Sequence, residues 1–371
     1  MFELTNEQRK CFGIPPVLDT WRKVVVEENL DDGYATYAYL DGQKIIKVVK
    51  VSEKSGDEHY LEYALDQMLS EDGTKILPKT DKGKPQKFTL ANLTRKTPVG
   101  MRISYVNGSI SLENYTNQQI FYLSCYEAVN VVNIKDFSKW VDNWCQNTGE
   151  KELAEITEFS NRKRTHQKFK EGDFFRYRIN RTLFGYGRIL VDYEKMRKDG
   201  IAFWDVFMGK PLCVAVYHIV TEDKAVKPEQ LVQLKMLPSQ MIMDDIFYYG
   251  ECEIIGNMPI SLDEDNFTIH YGRSRSCLTP YHLYYQCGKI HVALEGEKAL
   301  EFYNGDKLYD FSNIGIGWIL HATLPILLEC IKKGSNDPYW NMITEHRANE
   351  DLRNPKFEKE LKQIKKQMGV E

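Results

Sequence analysis

Residues 169–193, FKEGDFFRYRINRTLFGYGRILVDY, contain two strand-forming runs separated by a short polar stretch. The first run, 174–179, is rich in aromatic residues, and the second, 188–193, is rich in branched apolar residues. Aromatic and β-branched side chains are enriched in β-strands. Two further apolar runs follow at 212–220 and 246–255. This part of the sequence therefore predicts a sheet built from short strands.

The second run is preceded by a glycine-rich motif, Gly185-Tyr186-Gly187-Arg188. A dinucleotide-binding loop would need a third glycine and a helix directly after it, whereas strand-forming residues follow here. We therefore expect the glycines to allow a sharp bend, or the close approach of another backbone segment.

The rest of the chain carries several hairpin signals, in which a turn dipeptide separates two strand-forming runs. An Asp-Gly or Asn-Gly pair between such runs favours a tight turn with positive φ angles. The lysine-rich, proline-containing stretch 77–87 is typical of an exposed loop between the first two hairpins. The predicted turns are at Asp41-Gly42, Asn107-Gly108, Cys287-Gly288 and Asn304-Gly305.

The hydrophobic period changes to a helical one over 136–166. Four apolar residues, Phe137, Trp140, Val141 and Trp144, have the spacing of one helix face, and 147–149 interrupts the pattern. The uncharged segment 311–328 is about as long as the shortest membrane span. It contains polar residues, glycine and proline, so we expect a buried helix of a globular core. The polar tail 349–371 is expected to form a surface helix that frays.

Together these patterns predict an α+β fold. It would have two domains of mainly antiparallel sheet joined by a helical segment, followed by C-terminal helices. The expected limits are 1–134 for an N-terminal domain, 135–168 for a helical connector, and 169–371 for a C-terminal domain. Within the last, the core is expected at about 169–262 and a helical tail at 341–371.

Charge is distributed unevenly along this 371-residue chain, whose formal net charge is −4. Residues 1–160 carry 19 basic and 24 acidic side chains, and 171–371 carry 25 basic and 29 acidic ones. The ten residues between them carry five basic side chains and no acidic one. These five form what we name the basic junction: Arg162, Lys163, Arg164, Lys168 and Lys170. It is either a solvated helix end or a contact for RNA or phosphate.

Cysteine usage and the N-terminal sequence predict a cytoplasmic protein with reduced thiols. The eight cysteines form no C-x-x-C pair, and no secretory signal is visible. Cysteines and histidines do cluster in the last third of the chain. Their spacing matches no compact zinc module, so no metal or other cofactor is expected. The cluster comprises Cys277, Cys287, His270, His282 and His291.

A second cluster combines carboxylates with aromatic residues between positions 244 and 253. We name it the acidic-aromatic segment: Asp244, Asp245, Phe247, Tyr248, Tyr249, Glu251 and Glu253. Two neighbouring acids could serve in general acid–base catalysis. Aromatic anchors surrounded by carboxylates also suit recognition of a basic partner protein, which we consider the better interpretation. Motifs of nucleophilic hydrolases, P-loop proteins and zinc proteases are absent from the sequence.

The order of motifs from 169 to about 262 resembles the immunity protein 26 family. An opening Gly-Asp with aromatic residues, a Tyr-Gly-Arg strand and then apolar strands carry this resemblance. The corresponding residues are Gly172, Asp173, Phe174, Phe175, Gly185, Tyr186, Gly187 and Arg188. The pieces 2–14 and 77–100 are similar to a segment that precedes this domain in related bacterial proteins.

The resemblance implies an α+β protein that is not an enzyme. Its function would be to bind and neutralise a cognate polymorphic toxin, often a nuclease, by occluding the toxin's active surface. Partners other than this toxin, including nucleic acid and membranes, are not expected. We expect Arg188 to pair with a buried carboxylate such as Asp173. Two alternatives remain: a hydrolase resembling phosphotriesterases that uses Asp244, Asp245 or His270, and a nucleic-acid-associated module that uses the basic junction.

Overall fold

A computed structural model describes residues 1–77, 80, 82–126, 129–200, 209–260, 266–273, 283–301 and 324–370. It contains several antiparallel sheets together with helices, and the last described part of the chain, 324–368, is mainly helical. This confirms the predicted α+β class. The chain forms two compact units. The first comprises Met1–Thr165 with Ile179–Thr182, and the second comprises His166–Arg178 with Leu183–Glu371.

The described helices are mostly short. They are Asn6–Cys11 (α1), Leu90–Leu93 (α2), Ile134–Gln146 (α3), Glu150–Asn161 (α4), Tyr193–Lys198 (α5), Pro228–Leu231 (α6), Asp245–Tyr248 (α7), Glu297–Glu301 (α8), Leu324–Lys333 (α9), Asp337–Met342 (α10), Glu345–Glu350 (α11) and Glu358–Met368 (α12). No helix within the described ranges is long and apolar enough to cross a membrane.

The described strands fall into three sheets. They are Arg22–Asn29 (β1), Tyr34–Asp41 (β2), Lys44–Ser52 (β3), His59–Leu69 (β4), Lys75–Leu77 (β5), Gln86–Lys87 (β6), Val99–Val106 (β7), Ser109–Asn114 (β8), Gln119–Leu123 (β9), Asp173–Arg178 (β10), Phe184–Asp192 (β11), Pro211–Thr221 (β12), Gln240–Met243 (β13), Cys252–Asn257 (β14), Ile269–Arg273 (β15), Leu283–Cys287 (β16) and Ile290–Leu294 (β17).

The first unit is built on an antiparallel sheet in the order β1-β2-β3-β4-β7-β8-β9, to which β5 and β6 add at β4. The two hairpins predicted in this region are present as β2–β3 and β7–β8. Gly42, Asn107 and Gly108 all have positive φ angles. The turns therefore have the left-handed backbone that their Asp-Gly and Asn-Gly sequences favour.

Helices α3 and α4 pack against this sheet and belong to the first unit. Phe137 and Val141 of α3 and Ile156 and Phe159 of α4 are buried in one core with residues of the central strands. Helix α4 ends at Asn161, so the prediction of helix as far as His166 is wrong. Arg162 has extended backbone angles, φ −64° and ψ 128°, which cannot continue a helix.

A buried cluster of charges lies in the same unit. Glu62 of β4 is fully buried and accepts hydrogen bonds from Arg9 (Nε–Oε1, 2.7 Å), Lys47 and the Tyr60 hydroxyl. Burial lowers the pKa of Lys47, and the negative charge of Glu62 opposes this effect. Since a buried charge is tolerated only when it is paired, these residues depend on one another.

The second unit contains an antiparallel sheet in the order β13-β12-β11-β10-β14 and a separate sheet in the order β15-β16-β17. The predicted hairpin at Gly288 is present as β16–β17. The C-terminal tail contains α12, a surface helix with one buried face. Ile364 and Met368 of α12 are buried against Tyr285 of the small sheet. The predicted turn at Asn304-Gly305 and most of the apolar segment 311–328 lie outside the described residues.

Candidate functional site

The family motif lies on the neighbouring strands β10 and β11, and its glycines face aromatic rings. Phe175 is directly opposite Gly187, and Tyr177 is directly opposite Gly185. A Cβ atom added at Gly185 would overlap the Tyr177 ring, with Cε1 at 2.7 Å. A Cβ at Gly187 would overlap the Phe175 ring and lie 2.7 Å from the Ala215 carbonyl oxygen. Both glycines are therefore needed because other groups occupy the space of a side chain.

Arg188 of the motif is held inside the unit. Its guanidinium lies over the Phe174 ring, with Cζ 4.6 Å from the ring centroid. One terminal nitrogen, Nη2, donates to the carbonyl oxygens of Met258 and Pro259 at 2.8 Å each. The side chain is 2% exposed. Arg188 thus fixes the segment that follows β14 against the motif strands.

The expected pairing of Arg188 with Asp173 is wrong. The Asp173 carboxylate accepts hydrogen bonds from the Lys170 backbone N–H and from Asn257 Nδ2, each at 2.8 Å. This carboxylate closes the turn before β10, where Gly172 has a φ of 84°. A side chain on Gly172 would overlap the Met258 carbonyl oxygen. Opposite charge alone suggested the pairing, whereas local turn geometry determines the contacts of Asp173.

The motif side chains are therefore occupied in building the unit. Phe174, Phe175 and Tyr186 are buried, as are Asp173 and Arg188. Buried side chains in packed contacts cannot meet a partner protein without local unfolding. The surface that such a partner would contact must be sought outside β10 and β11.

The acidic-aromatic segment begins as helix α7 and not as the strand predicted over 246–255. Only β14, from Cys252, has strand structure there, and Gly250 between the two has a φ of 73°. Phe247 is fully buried against Phe169 and Phe175, with ring centroids 5.3 and 5.4 Å apart. Packing of this one ring outweighs the strand preference of the aromatic sequence.

Tyr248, the next residue, points outward. Its side chain is 46% exposed. Its ring meets that of His166 at a centroid distance of 4.9 Å and that of Tyr249 at 5.3 Å, both edge to face. Because the Gln167 backbone N–H also donates to the Phe247 carbonyl oxygen at 3.0 Å, α7 lies against residues 166–169. We name Asp245, Tyr248, Tyr249 and His166 the α7 surface.

The carboxylates of the acidic-aromatic segment differ in their surroundings. Asp245 is exposed, and Glu251 is half-buried. Asp244 accepts a hydrogen bond from the Lys210 backbone N–H at 3.1 Å. Glu253 forms an ion pair with Arg176 at 2.7 Å. Asp245 is thus the carboxylate best placed to meet a partner beside Tyr248.

The basic junction has no regular secondary structure, and its last two members are in the second unit. Arg162 is half-buried and pairs with Glu158 at 3.4 Å, while Arg164 donates to Gln118 Oε1 at 3.0 Å. Lys163, Lys168 and Lys170 are exposed. Lys168 lies between Gln167 and Phe169, which both contact α7. The strip formed by residues 166–170 beside α7 therefore carries positive charge, whereas α7 carries the negative charge of Asp245.

The residues suggested for hydrolysis lie in different surroundings. His270 is buried on β15, and burial together with the nearby Arg353 charge lowers its pKa to about 4. Asp245 instead lies on the exposed side of α7, in different surroundings. In the described part of the chain, no group of three or more His, Cys, Asp or Glu side chains could hold a metal ion. Cys277 and His282 lie outside the described residues.

The sequence interpretation missed His166 and Phe169 as neighbours of α7. His166 lies in a stretch that attracted attention for its basic charge, and Phe169 lies at the start of the motif region. The available signal was the presence of aromatic rings among basic residues. A contact between residues about 80 positions apart cannot be deduced from a local pattern.

Comparisons with known proteins found one match, which covers part of the chain. Searches of curated proteins and of solved structures found no match. A scan against family models matched 170–275, which is less than a third of the chain and includes β10, β11, α7, β14 and β15. Similarity of the pieces 2–14 and 77–100 to other proteins stays a prediction. The family matched by residues 170–275 is immunity protein 26, which confirms the family predicted for this region.

Proposed function

We propose that this protein is an immunity protein that acts by binding, not by catalysis. It would neutralise a cognate bacterial polymorphic toxin, expected to be a nuclease, by occluding the toxin's active surface in the cytoplasm. The match of 170–275 to the immunity protein 26 model is the observation that carries the proposal. The structural roles of the buried motif residues agree with a binding protein.

We propose the α7 surface as the contact with the toxin. Tyrosine provides a large contact area with few rotatable bonds, and it is enriched among the residues that dominate binding energies. Tyr248 is exposed, yet its backbone is fixed by the buried neighbour Phe247. A fixed backbone loses little conformational entropy on binding, which favours affinity.

Asp245 gives this surface a charge that suits a nuclease. Enzymes that bind nucleic acid present basic surfaces to the phosphate backbone. An exposed carboxylate beside an aromatic anchor would steer such a surface and could pair with one of its cations. Lys168 and Lys170 on the adjoining strip would meet acidic groups at the edge of the same interface.

Coexpression with the toxin encoded by the neighbouring gene tests the function. Cells that produce the toxin should survive when this protein is present, and the two purified proteins should form a stable complex. The function is wrong if the protein neither binds that toxin nor relieves its toxicity.

A matched pair of variants tests the surface separately. Tyr248→Ala should weaken toxin binding by about 30-fold or more, as expected for an anchor residue worth about 2 kcal/mol. Ile290→Ala on β17 is the control because Ile290 is similarly exposed, at 49% compared with 46%. Equal affinities of the two variants would exclude the α7 surface while leaving the function intact.

A contact between the basic junction and nucleic acid is a second candidate, favoured by the exposure of Lys163 and Arg164. Replacing Arg162, Lys163 and Arg164 with alanine should abolish binding to a 20-nucleotide single-stranded RNA at low salt and flatten its salt dependence. Absence of binding by the parent protein under those conditions would remove this candidate.

A further inference from the structure

Two cysteines of the first unit meet where helix α1 contacts helix α3. Cys11 is the last residue of α1, and its Sγ lies 3.4 Å from the Glu7 carbonyl oxygen. Cys145 is near the end of α3, and its Sγ lies 4.0 Å from the carbonyl oxygen of Gln8. Glu7 and Gln8 are consecutive residues of α1, so both thiols point to the same turn of that helix.

The two thiols also lie close enough to influence each other. Burial and the neighbouring Cys11 thiol raise the pKa of Cys145. The position of the helices is fixed next to this contact, because the Trp144 indole N–H donates to the Cys11 carbonyl oxygen at 3.1 Å. Both cysteines are free and half-buried.

We propose that Cys11 and Cys145 form a reversible disulfide that ties the N-terminal helix to α3. Both sulfur atoms lie against carbonyl oxygens of consecutive residues in one turn of α1, so little backbone movement is needed to join them. The bond would close a loop of more than 130 residues, and cross-links across long loops restrict the unfolded chain most strongly.

The chemistry requires a small disulfide of the glutathione class as oxidant. A thiolate of one cysteine attacks a sulfur of that disulfide, which forms a mixed disulfide and releases one small thiol. The second cysteine, as its thiolate, then attacks the protein-bound sulfur and releases the other small thiol. Each cysteine loses one proton, and the two electrons reduce the small disulfide to two thiols.

Accessibility separates this pair from most other described cysteines. Cys213, Cys252 and Cys330 are buried, so a small disulfide cannot reach them in the folded protein. Cys125 is exposed but lies outside the α1–α3 contact. It therefore serves as an internal control that can take up a small thiol without forming this cross-link.

Oxidation of the full-length protein with glutathione disulfide tests the proposal. Peptide mass spectrometry without reduction should find the peptides of Cys11 and Cys145 joined, with the loss of two hydrogen atoms, and dithiothreitol should separate them. The thermal midpoint of the first unit should rise by several degrees on oxidation. This rise should be absent in Cys145→Ser and retained in Cys125→Ser.

Two results would overturn the proposal. One is lasting attachment of glutathione to Cys11 or Cys145 in place of the cross-link. The other is a cross-link from either residue to a different cysteine. The mass measurement on the unaltered protein does not depend on the folding of any variant.

Discussion

The motif strands β10 and β11 and the helix α7 lie in one unit, but they use their distinctive residues in opposite ways. The motif residues Gly185, Gly187 and Arg188 are buried and hold strands together. Tyr248 and Asp245 of α7 face outward, and no family motif marks them. This difference indicates that the recognisable part of the sequence specifies the fold, whereas partner choice would depend on residues without a signature.

Gly185→Ala should have the largest effect on stability if the motif is structural. The added methyl group would overlap the Tyr177 ring. Overpacking of a rigid core site should lower the free energy of unfolding by about 3 kcal/mol. Urea denaturation should show the loss, and hydrogen exchange of peptides from 170–178 and 183–193 should show that it lies in the second unit.

A double-mutant cycle with Tyr177→Val provides the control. All three atoms nearest to the added methyl group belong to Tyr177, so removal of that ring makes room for it. The double variant should be more stable than the sum of the two single losses predicts, by about 1 kcal/mol or more. Simple additivity would mean that the ring does not require the glycine.

Lowering the pH should also destabilise the second unit, because the buried His270 becomes protonated. Its pKa is lowered from 6.5 to about 4, mainly by burial. Between these pH values the unfolded chain binds a proton that the folded chain does not. Stability should therefore fall as pH drops from about 6.5 to about 4, by up to about 3 kcal/mol. His270→Gln should flatten this part of a pH series of urea denaturations, and an unchanged slope would contradict the assignment.

Arg188→Lys should have an intermediate effect. A lysine keeps the charge but cannot lie flat over Phe174 and reach both carbonyl oxygens with one planar group. We expect a loss of about 2 kcal/mol in the free energy of unfolding. Lys362→Ala on α12 provides the comparison. Lys362 is exposed and pairs with Glu358, so this substitution should lower the free energy of unfolding by about 0.5 kcal/mol or less.

Tyr248→Ala should have the smallest effect on stability, although it should have the largest effect on toxin binding among these variants. Its ring is nearly half exposed, so truncation removes little buried area. The free energy of unfolding should change by about 0.5 kcal/mol or less. A loss comparable to that of Gly185→Ala would show that α7 is structural as well, and the comparison between the two regions would fail.

Sequence alone predicted the features that depend on local chemistry. The turns at Gly42, Gly108 and Gly288 were predicted correctly because a positive φ angle favours glycine. The residue type itself therefore marks such a turn. The family was found because motif order and spacing are preserved over 169–262. The amphipathic face of α3 was found because Phe137, Val141 and Trp144 repeat with the period of a helix.

Features that depend on distant contacts could not be predicted. Helix α7 replaces a predicted strand because Phe247 packs against Phe175, a residue 72 positions earlier in the sequence. Arg188 donates to main-chain oxygens of Met258 and Pro259, and no residue type reveals such acceptors. A charged residue such as Glu62 within a strand needs a partner when it is buried. Its partner Arg9 lies on α1, which is distant in sequence, so the pair could not be predicted.

The aromatic rings over the motif glycines also have a consequence for strand alignment. A strand with two glycines lacks side chains at those positions, and flat strands with few side chains are prone to slip. Here a slip by one residue would place Tyr186 or Arg188 where the rings of Phe175 and Tyr177 now lie. Only one alignment of β11 accommodates both rings, so the glycines exclude misaligned pairings that the backbone hydrogen bonds alone would tolerate.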